Sequence, residues 1–341
     1  MVNRYVEQSI KIVSPIIPFT VVKNLVGTNL MLPSYHTVSD EDLSHVKHLY
    51  PYKNTTEFRK ALDFFLQHYT PICLSELLEH INKGSGLPDN AFFLTFDDGF
   101  RESYDVIAPI LKEKGIPATF FLVTNWIDNK MLFYRHKASV LIEALRKSGN
   151  PNLLEKVKAV FLSHDMQVTD FEAGILAINY YQQQMLDEIA LVLEVDFDDY
   201  LIRNKPYLDC AQIHDLIEAG FTIGAHSVDH PLYSMLPLED QLYQTRESVR
   251  YIKEKFSLNY GAFAFPYNDK GVSKKYFETT FGQDGVDISF GTSSMRQDVY
   301  PNSLQRTEME TIPLSARDMI SVRYSIKLAR RMFGDKAIRR N

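Results

Sequence analysis

Residues 92–100 read FFLTFDDGF, an apolar run that stops at two adjacent carboxylates and a glycine. Continuous apolar and β-favouring residues are typical of a strand buried on both faces, as in a parallel sheet. Gly99 then turns the chain at the carboxyl end of that strand. Catalytic groups of parallel sheets collect at this edge, so Asp97 and Asp98 are candidate site residues, although Asp-Asp-Gly is also an ordinary turn sequence.

A second apolar run, residues 221–225, ends at HSVDH, residues 226–230. Two imidazoles four residues apart can face one divalent ion, and a carboxylate from another strand end completes a three-ligand site with an open position. The sequence therefore predicts a metal site made of Asp98, His226 and His230.

These motifs resemble those of the polysaccharide deacetylases, carbohydrate esterases that share the NodB homology domain. TFDDG at residues 95–99 is similar to the family's first motif, and residues 226–230 are similar to its His-Ser/Thr-x-x-His second motif. GIPATFF at residues 115–121 resembles the strand that follows the first motif, and FAFPY at residues 263–267 resembles a variant of the third. Structural context must confirm any such match.

The resemblance implies a distorted (β/α)7-type barrel, an α/β fold, with a helical insertion. The order strand, helix, strand after the first motif also favours a parallel sheet, because such units form right-handed βαβ crossovers. We divide the chain into an N-terminal extension, a barrel in two parts, a helical insertion and a basic C-terminal helix or tail: residues 1–30, 31–125 with 206–320, 126–205 and 321–341.

The insertion is predicted from helix-length segments at residues 137–147, 152–162 and 170–193, which lack the strand and glycine rhythm of the barrel. The resembled family does not need this segment. We therefore interpret it as a lid, a substrate-specific wall or an oligomer contact; about eighty residues are enough for a small helical subdomain.

The resemblance also implies roles for individual residues. Asp97 would be the general base, and the main-chain N–H of Tyr267 would help to hold a tetrahedral oxyanion. Pro266 of the third motif is expected to contact the substrate. The family's usual later tryptophan is missing, since Trp126 is the only one in the chain, and Phe290 is the residue expected to fill that wall.

Two further departures from the family pattern bring in residues from elsewhere. The arginine that usually stands two residues before the third-motif proline is Ala264 here, and Arg306 is the candidate stand-in as the partner of Asp97. No histidine follows His230 to act as the general acid. His36, which follows the first predicted strand, is the candidate acid, with a water molecule as the alternative.

The composition limits the other possibilities. The chain has 341 residues, of which 45% are hydrophobic and 23% charged, which is typical of a globular protein. A net charge of −6 without a basic, aromatic-interleaved stretch argues against a nucleic-acid partner. Two cysteines do not make a disulfide scaffold.

The apolar stretch at residues 10–26 is interrupted by lysine and proline and lacks the features of a signal peptide or a membrane span. We therefore expect a cytoplasmic protein. The basic segment at residues 322–340 allows a peripheral contact with anionic lipid at the inner face of the membrane, although a solvated terminal helix is the simpler interpretation.

Together these features predict a metal-dependent N-deacetylase that hydrolyses the N-acetyl amide of an amino-sugar polysaccharide or its lipid-linked precursor. Zinc is the expected ion, and cobalt, nickel or iron could use the same ligands. A deformylase or other amide hydrolase on the same fold, or a non-catalytic carbohydrate-binding relative, remain alternatives. A zinc peptidase is disfavoured, because residues 226–230 lack a glutamate beside the first histidine and follow a strand.

Overall fold

The computed structural model describes residue 14, residues 17–310 and 314–332, residue 334 and residues 337–340. The N-terminal extension and the basic tail expected from the sequence therefore fall partly outside the described residues.

The chain forms a parallel β barrel surrounded by helices. In chain order the strands are β1 Leu30–Met31, β2 Pro33–Tyr35, β3 Thr70–Pro71, β4 Ala91–Phe92, β5 Leu94–Phe96, β6 Ala118–Leu122, β7 Thr222–Ala225, β8 Ala262–Ala264, β9 Ile288–Gly291, β10 Gln297–Asp298, β11 Ser303–Gln305, β12 Thr307–Glu308 and β13 Ala337–Ile338. Eight of them make one sheet in the order β11-β9-β8-β7-β6-β5-β2-β12. All neighbouring strands in it are parallel.

The sheet closes on itself through residues 303–308, which we call the seam. β11 pairs with β9 at one end of the sheet, β12 pairs with β2 at the other, and only Arg306 separates β11 from β12. The Arg306 N–H donates to the Gly291 carbonyl at 2.9 Å, and the Thr307 N–H donates to the Leu32 carbonyl at 2.7 Å. β11 and β12 thus share one position in a ring of seven, and the expected (β/α)7-type barrel is confirmed.

The strand predicted before His36 is divided in the structure. β1 pairs with β4 in a separate three-stranded sheet that also contains β3, whereas β2 belongs to the barrel. The division falls at Leu32, immediately before Pro33. Proline has no N–H to donate to a ladder, so the chain changes partner where that donor is missing.

Helices cover the outside of the barrel and fill the insertion. In chain order they are α1 Phe19–Val26, α2 Thr55–His68, α3 Leu74–Lys83, α4 Ala108–Lys114, α5 Tyr134–Ser148, α6 Pro151–Ser163, α7 Phe171–Ala177, α8 Gln184–Leu193, α9 Phe197–Asn204, α10 Cys210–Glu218, α11 Leu238–Lys255, α12 Lys274–Gly282 and α13 Ala316–Met332. A π-helical turn, Ser103–Ile107, precedes α4. Within the described residues, no helix combines the length and the apolar content that crossing a bilayer requires.

The insertion is helical from α5 to α9, but one expected helix is interrupted. Residues 170–193 form α7 and α8, separated by the 3-10 turn Tyr180–Gln182. The Asn179 side chain accepts a hydrogen bond from the Tyr181 N–H and caps that turn. An asparagine side chain that binds nearby backbone competes with the helix, which explains the interruption.

The insertion shares a hydrophobic core with the active-site edge of the barrel. Phe100 and Val123 are buried there with the insertion residues Leu141, Phe161 and Ile189. Each fully buried side chain of this size contributes about 1.5–3 kcal/mol. The shared core therefore holds the insertion against the loops that follow the strands.

The C-terminal segment is tied into the protein by several of its basic residues. Lys327 Nζ donates to Thr28 Oγ1 and Arg331 donates to the Val26 carbonyl, both at 2.7 Å. Arg340 forms ion pairs with Asp269 and Asp298. These side chains have partners within the molecule, so they contribute to internal structure.

Candidate active site

The carboxyl ends of β5 and β7 bring together the three residues expected to bind metal. Asp98 Oδ1 lies 3.5 Å from His226 Nε2 and 3.3 Å from His230 Nε2. All three side chains are buried, and Asp98 Oδ1 has no hydrogen-bond partner among the described residues. Burying a carboxylate oxygen without a donor is costly, so this arrangement of one carboxylate and two imidazoles suits a divalent cation.

A hydrogen bond to the main chain fixes the orientation of the His226 ring. Its Nδ1 donates to the carbonyl of Ala264 at 2.8 Å, which leaves the lone pair of Nε2 directed towards Asp98. Burial lowers the pKa of His226 to about 4. The imidazole is therefore neutral at pH 7, as a metal ligand must be.

The loops of the site have strained backbones. Left-handed φ angles occur at four non-glycine residues: Asp98 (+74°), Ser227 (+70°), His230 (+63°) and Tyr267 (+56°). Such conformations cost about 1–3 kcal/mol each and cluster at functional sites. Gly99 also has φ +72°, and a Cβ there would lie 2.9 Å from Leu122 Cδ2, so the turn after the two aspartates requires glycine.

Asp97 faces an arginine. Its oxygens accept hydrogen bonds from Arg306 Nη1 and Nη2 at 2.6 and 2.7 Å, and Nη1 also donates to Thr95 Oγ1 at 3.1 Å. Both members of the pair are buried. Burial raises the pKa of the Asp97 carboxyl, but Arg306, with the smaller effects of His226 and His36, outweighs burial and the net pKa is lowered. The structure thus places Arg306 where the stand-in was expected, beside a carboxylate that stays ionised.

His36 lies near the two aspartates, with a quarter of its side chain exposed. Its Nδ1 donates to Glu310 Oε2 at 2.7 Å, and Glu310 Oε1 accepts from the main-chain N–H groups of His36 and Thr37 at 2.9 and 3.1 Å. Burial lowers the pKa of His36, but the Glu310 carboxylate, with smaller effects of the two aspartates, raises it to about 10. His36 is therefore a protonated donor at this site.

Sequence reasoning did not identify Glu310. The residue lies 274 positions after His36, just beyond β12, and no local motif marks it. Glu308 joins the same cluster, with its donor atoms and those of His36 and Glu310 within 4.8 Å of one another. His36 Nδ1 and the Glu310 carboxylate are already hydrogen-bonded to each other.

Tyr267 lies against the candidate metal ligands, with its ring 4.7 Å from the ring of His230. Thr292 Oγ1 donates to the Tyr267 carbonyl at 2.9 Å and holds the loop. Within the described part of the chain, the main-chain N–H of Tyr267 meets no acceptor. That N–H is available to a ligand, as the expected oxyanion contact requires.

Phe290 and Pro266 are placed differently from what the sequence suggested. Phe290 is fully buried and stacks on Phe93 at 5.5 Å, so the expectation that it forms a substrate wall is wrong. It lies beneath the site instead, with the Arg306 guanidinium carbon 6.0 Å from its ring centroid. Pro266 is also buried and offers no open surface to a substrate; it directs the chain into Tyr267.

Aromatic residues that the sequence analysis did not select surround the ligands. Trp126 and Phe133 have ring centroids 5.4 and 5.0 Å from that of His230. Tyr50 lies 5.1 Å from the His36 ring, and its buried hydroxyl has no partner among the described residues. These side chains come from a loop and from the start of the insertion, so only the fold brings them together.

Comparisons with known proteins show what the chain is similar to. The polysaccharide deacetylase family model matches residues 84–282, more than half of the chain. Over 96 residues the chain is 30% identical to a poly-beta-1,6-N-acetyl-D-glucosamine N-deacetylase of Escherichia coli, which covers 28% of this chain and 14% of that protein. Over 106 residues it is 33% identical to the protein of the same name from Staphylococcus epidermidis, which covers 28% of this chain and 36% of the other. The chain thus aligns with well under two thirds of either relative.

A solved structure extends the likeness to the whole fold. The deacetylase PplD from Streptococcus pyogenes, in complex with acetate, matches with a TM-score of 0.55 at 14% identity. The match covers 87% of this chain and 98% of that one. At this identity the likeness shows the fold alone.

Proposed function

Because the chain belongs to the polysaccharide deacetylase family, we propose that it is a metal-dependent N-deacetylase of an amino-sugar polysaccharide or its precursor. The observation that carries the proposal is that two adjacent carboxylates, Asp97 and Asp98, have different partners. Asp98 faces two imidazoles, while Asp97 is ion-paired and remains free of those imidazoles. The names of the relatives make N-acetylglucosamine the first sugar to test.

Asp98, His226 and His230 would hold the ion. We propose zinc first, because two imidazoles and one carboxylate with an open position are a common zinc arrangement; cobalt, nickel or iron accept the same donors. Bound there, the ion would supply a Lewis acid that favours ionisation of water and polarises an amide carbonyl.

Asp97 would act as the general base and accept a proton from the attacking water. Arg306 and Thr95 fix the direction of its carboxylate, and the lowered pKa keeps it ionised near neutral pH. A positioned base of this kind contributes about 10²–10⁴-fold to the rate.

Two groups would assist as the amide C–N bond breaks: one donates a hydrogen bond and the other donates a proton. As water oxygen bonds to the carbonyl carbon, the Tyr267 N–H would donate to the oxygen that becomes negative. His36 would give a proton to the amine nitrogen as the C–N bond breaks, while Glu310 holds its Nδ1. The products are acetate and the free amino sugar.

The test is acetate release from β-1,6-linked N-acetylglucosamine oligomers by the wild type and by Asp97→Asn, both loaded with zinc or cobalt. Acetate from the wild type and at least a 10²-fold loss in the variant are expected. Formate release from N-formylated sugars, without acetate from the N-acetylated ones, would make the protein a deformylase. Glycan binding without release of either acid would indicate a non-catalytic carbohydrate-binding protein.

A further inference from the structure

Four tyrosines lead from the metal ligands to the surface of the insertion; we call them the tyrosine row. The ring of Tyr267 lies 4.7 Å from that of His230, and its hydroxyl lies 3.5 Å from the hydroxyl of Tyr134. The ring centroids of Tyr134 and Tyr180 are 6.2 Å apart, and those of Tyr180 and Tyr181 are 5.5 Å apart. Aromatic contacts therefore run from the site to the 3-10 turn of the insertion, and they pass through Tyr134, which is buried.

The outer end of the row is anchored to the loop that carries the metal ligands. The Tyr180 hydroxyl donates to Asp229 Oδ2 at 2.8 Å, and the Tyr181 hydroxyl donates to the carbonyl of Met235 at 3.1 Å. Gln244 Nε2 holds the other oxygen of Asp229 at 2.7 Å. These rings are fixed before any ligand arrives, and a preorganised surface loses less conformational entropy on binding.

The row is open to solvent at two places. Tyr267 is 41% exposed and Tyr181 is 61% exposed, so neither ring is needed to fill a core. Exposed aromatic side chains that continue from a catalytic site are typical of ligand-binding surfaces. Because the hydroxyls of Tyr180 and Tyr181 are already hydrogen-bonded, their ring surfaces are what they offer to a ligand.

The chemistry of such a surface matches a carbohydrate chain. The face of an aromatic ring carries partial negative charge and attracts the C–H face of a sugar ring. It attracts the ammonium group of a deacetylated sugar in the same way. We propose that the exposed rings of the tyrosine row bind the sugar residues next to the one that reacts. This inference rests on the proposed function and assigns part of its binding surface to the insertion.

The test compares wild type, Tyr181→Ala and a control, Tyr243→Ala. Tyr243 is a 52% exposed tyrosine of α11 that lies outside the row. kcat/KM for acetate release is measured on N-acetylglucosamine and its oligomers up to the pentasaccharide. We expect kcat/KM of the wild type and of Tyr243→Ala to rise with chain length. Tyr181→Ala should lose about three- to tenfold on the pentasaccharide and clearly less on the monosaccharide. An equal loss at every length, or no loss, would overturn the proposal.

A binding measurement separates this proposal from the proposed chemistry. In the Asp97→Asn background, calorimetry gives Kd for the pentasaccharide without turnover. Adding Tyr181→Ala should raise that Kd about three- to tenfold, even if the wild type were to release no acetate. An unchanged Kd, or no measurable binding before Tyr181 is replaced, would show that the row does not bind glycan.

Discussion

Arg306 donates hydrogen bonds from both terminal guanidinium nitrogens to the carboxylate of Asp97, a residue 209 positions earlier in the chain. Arg306 is also the residue that joins β11 to β12 at the seam. One buried arginine therefore connects closure of the barrel with the ionisation of the carboxylate that we propose as the base.

Arg306→Met is expected to lower the free energy of unfolding by about 3–5 kcal/mol, because it leaves Asp97 buried without its counterion. The guanidinium lowers the pKa of Asp97, so its removal raises that pKa. The base is then ionised only at higher pH, and the acid limb of the kcat profile should move upwards. Urea denaturation and the pH dependence of kcat measure the two effects.

Arg59 provides the matched control for this variant. It donates to both oxygens of Glu113 at 2.8 Å, the same geometry on the exposed surface. Solvent screens such a pair, so Arg59→Met should leave both the unfolding midpoint and the kcat profile nearly unchanged. Similar losses of stability in the two variants would show that burial of the Asp97 pair is unimportant.

Glu310→Gln is expected to move the alkaline limb of the kcat profile to lower pH. Burial lowers the pKa of His36, but the Glu310 carboxylate raises it to about 10. Glutamine keeps an acceptor for Nδ1 without the negative charge, so the imidazolium that donates the proton is lost at a lower pH. An unshifted limb would contradict this role of Glu310. Full kcat in His36→Gln across the pH range would exclude His36 as the acid.

We expect the protein to hold one divalent ion per chain. His226→Ala should abolish binding of the ion, because a stable site needs two ligands from one loop and one from another. Glu308→Gln should retain it, because Glu308 lies in a second cluster, where His36 and Glu310 are hydrogen-bonded to each other. Elemental analysis of gel-filtered protein measures the stoichiometry. A chelator should lower Tm of the wild type but not that of His226→Ala.

Stability should fall as the pH drops below about 6.5, partly because of His45. Nδ1 of this buried imidazole is hydrogen-bonded to the Tyr200 hydroxyl at 3.0 Å. The imidazole ring lies 5.6 Å from that of His136. Burial, with Arg101 nearby, lowers the pKa of His45 to about 3. The unfolded chain therefore binds a proton between these pH values while the folded chain does not, which favours unfolding.

The measurement is the free energy of unfolding at pH 7.5 and pH 5.5 for wild type, His45→Gln and His214→Gln. Each such histidine contributes roughly 1 kcal/mol per pH unit in this range. His45→Gln should reduce the pH dependence. His214, which is exposed, should behave as wild type when replaced. An identical pH dependence in all three proteins would remove His45 from the explanation.

Much of the site could be predicted because parallel strands end at one edge. Asp98 and His226 each follow an apolar run. These runs form β5 and β7, which lie on either side of β6 and end at the same edge of the barrel, so their side chains meet there. The role of Arg306 could also be predicted. Ala264 stands where the resembled family has arginine, so another cation must balance the charge of Asp97.

The remaining parts depend on contacts that no local pattern encodes. Glu310 meets His36 only when the barrel closes, and Phe133 reaches His230 only when the insertion packs on the barrel. The expectation for Phe290 is wrong for a related reason. An aromatic residue at a strand end can face the core or the site, and here the packing against Phe93 places it in the core.

The position of the seam has a consequence for biosynthesis. A chain emerging from the ribosome contains both metal-ligand motifs long before residues 303–308, yet until the seam is made β2 has an unpaired edge and Asp97 lacks its counterion. Such long-range pairing is slow, and unpaired edges promote aggregation during synthesis. A nascent chain ending after β9 would carry Asp98, His226 and His230 without Arg306 or Glu310. The proposed site is thus complete only after residue 310 has been synthesised and the barrel has closed.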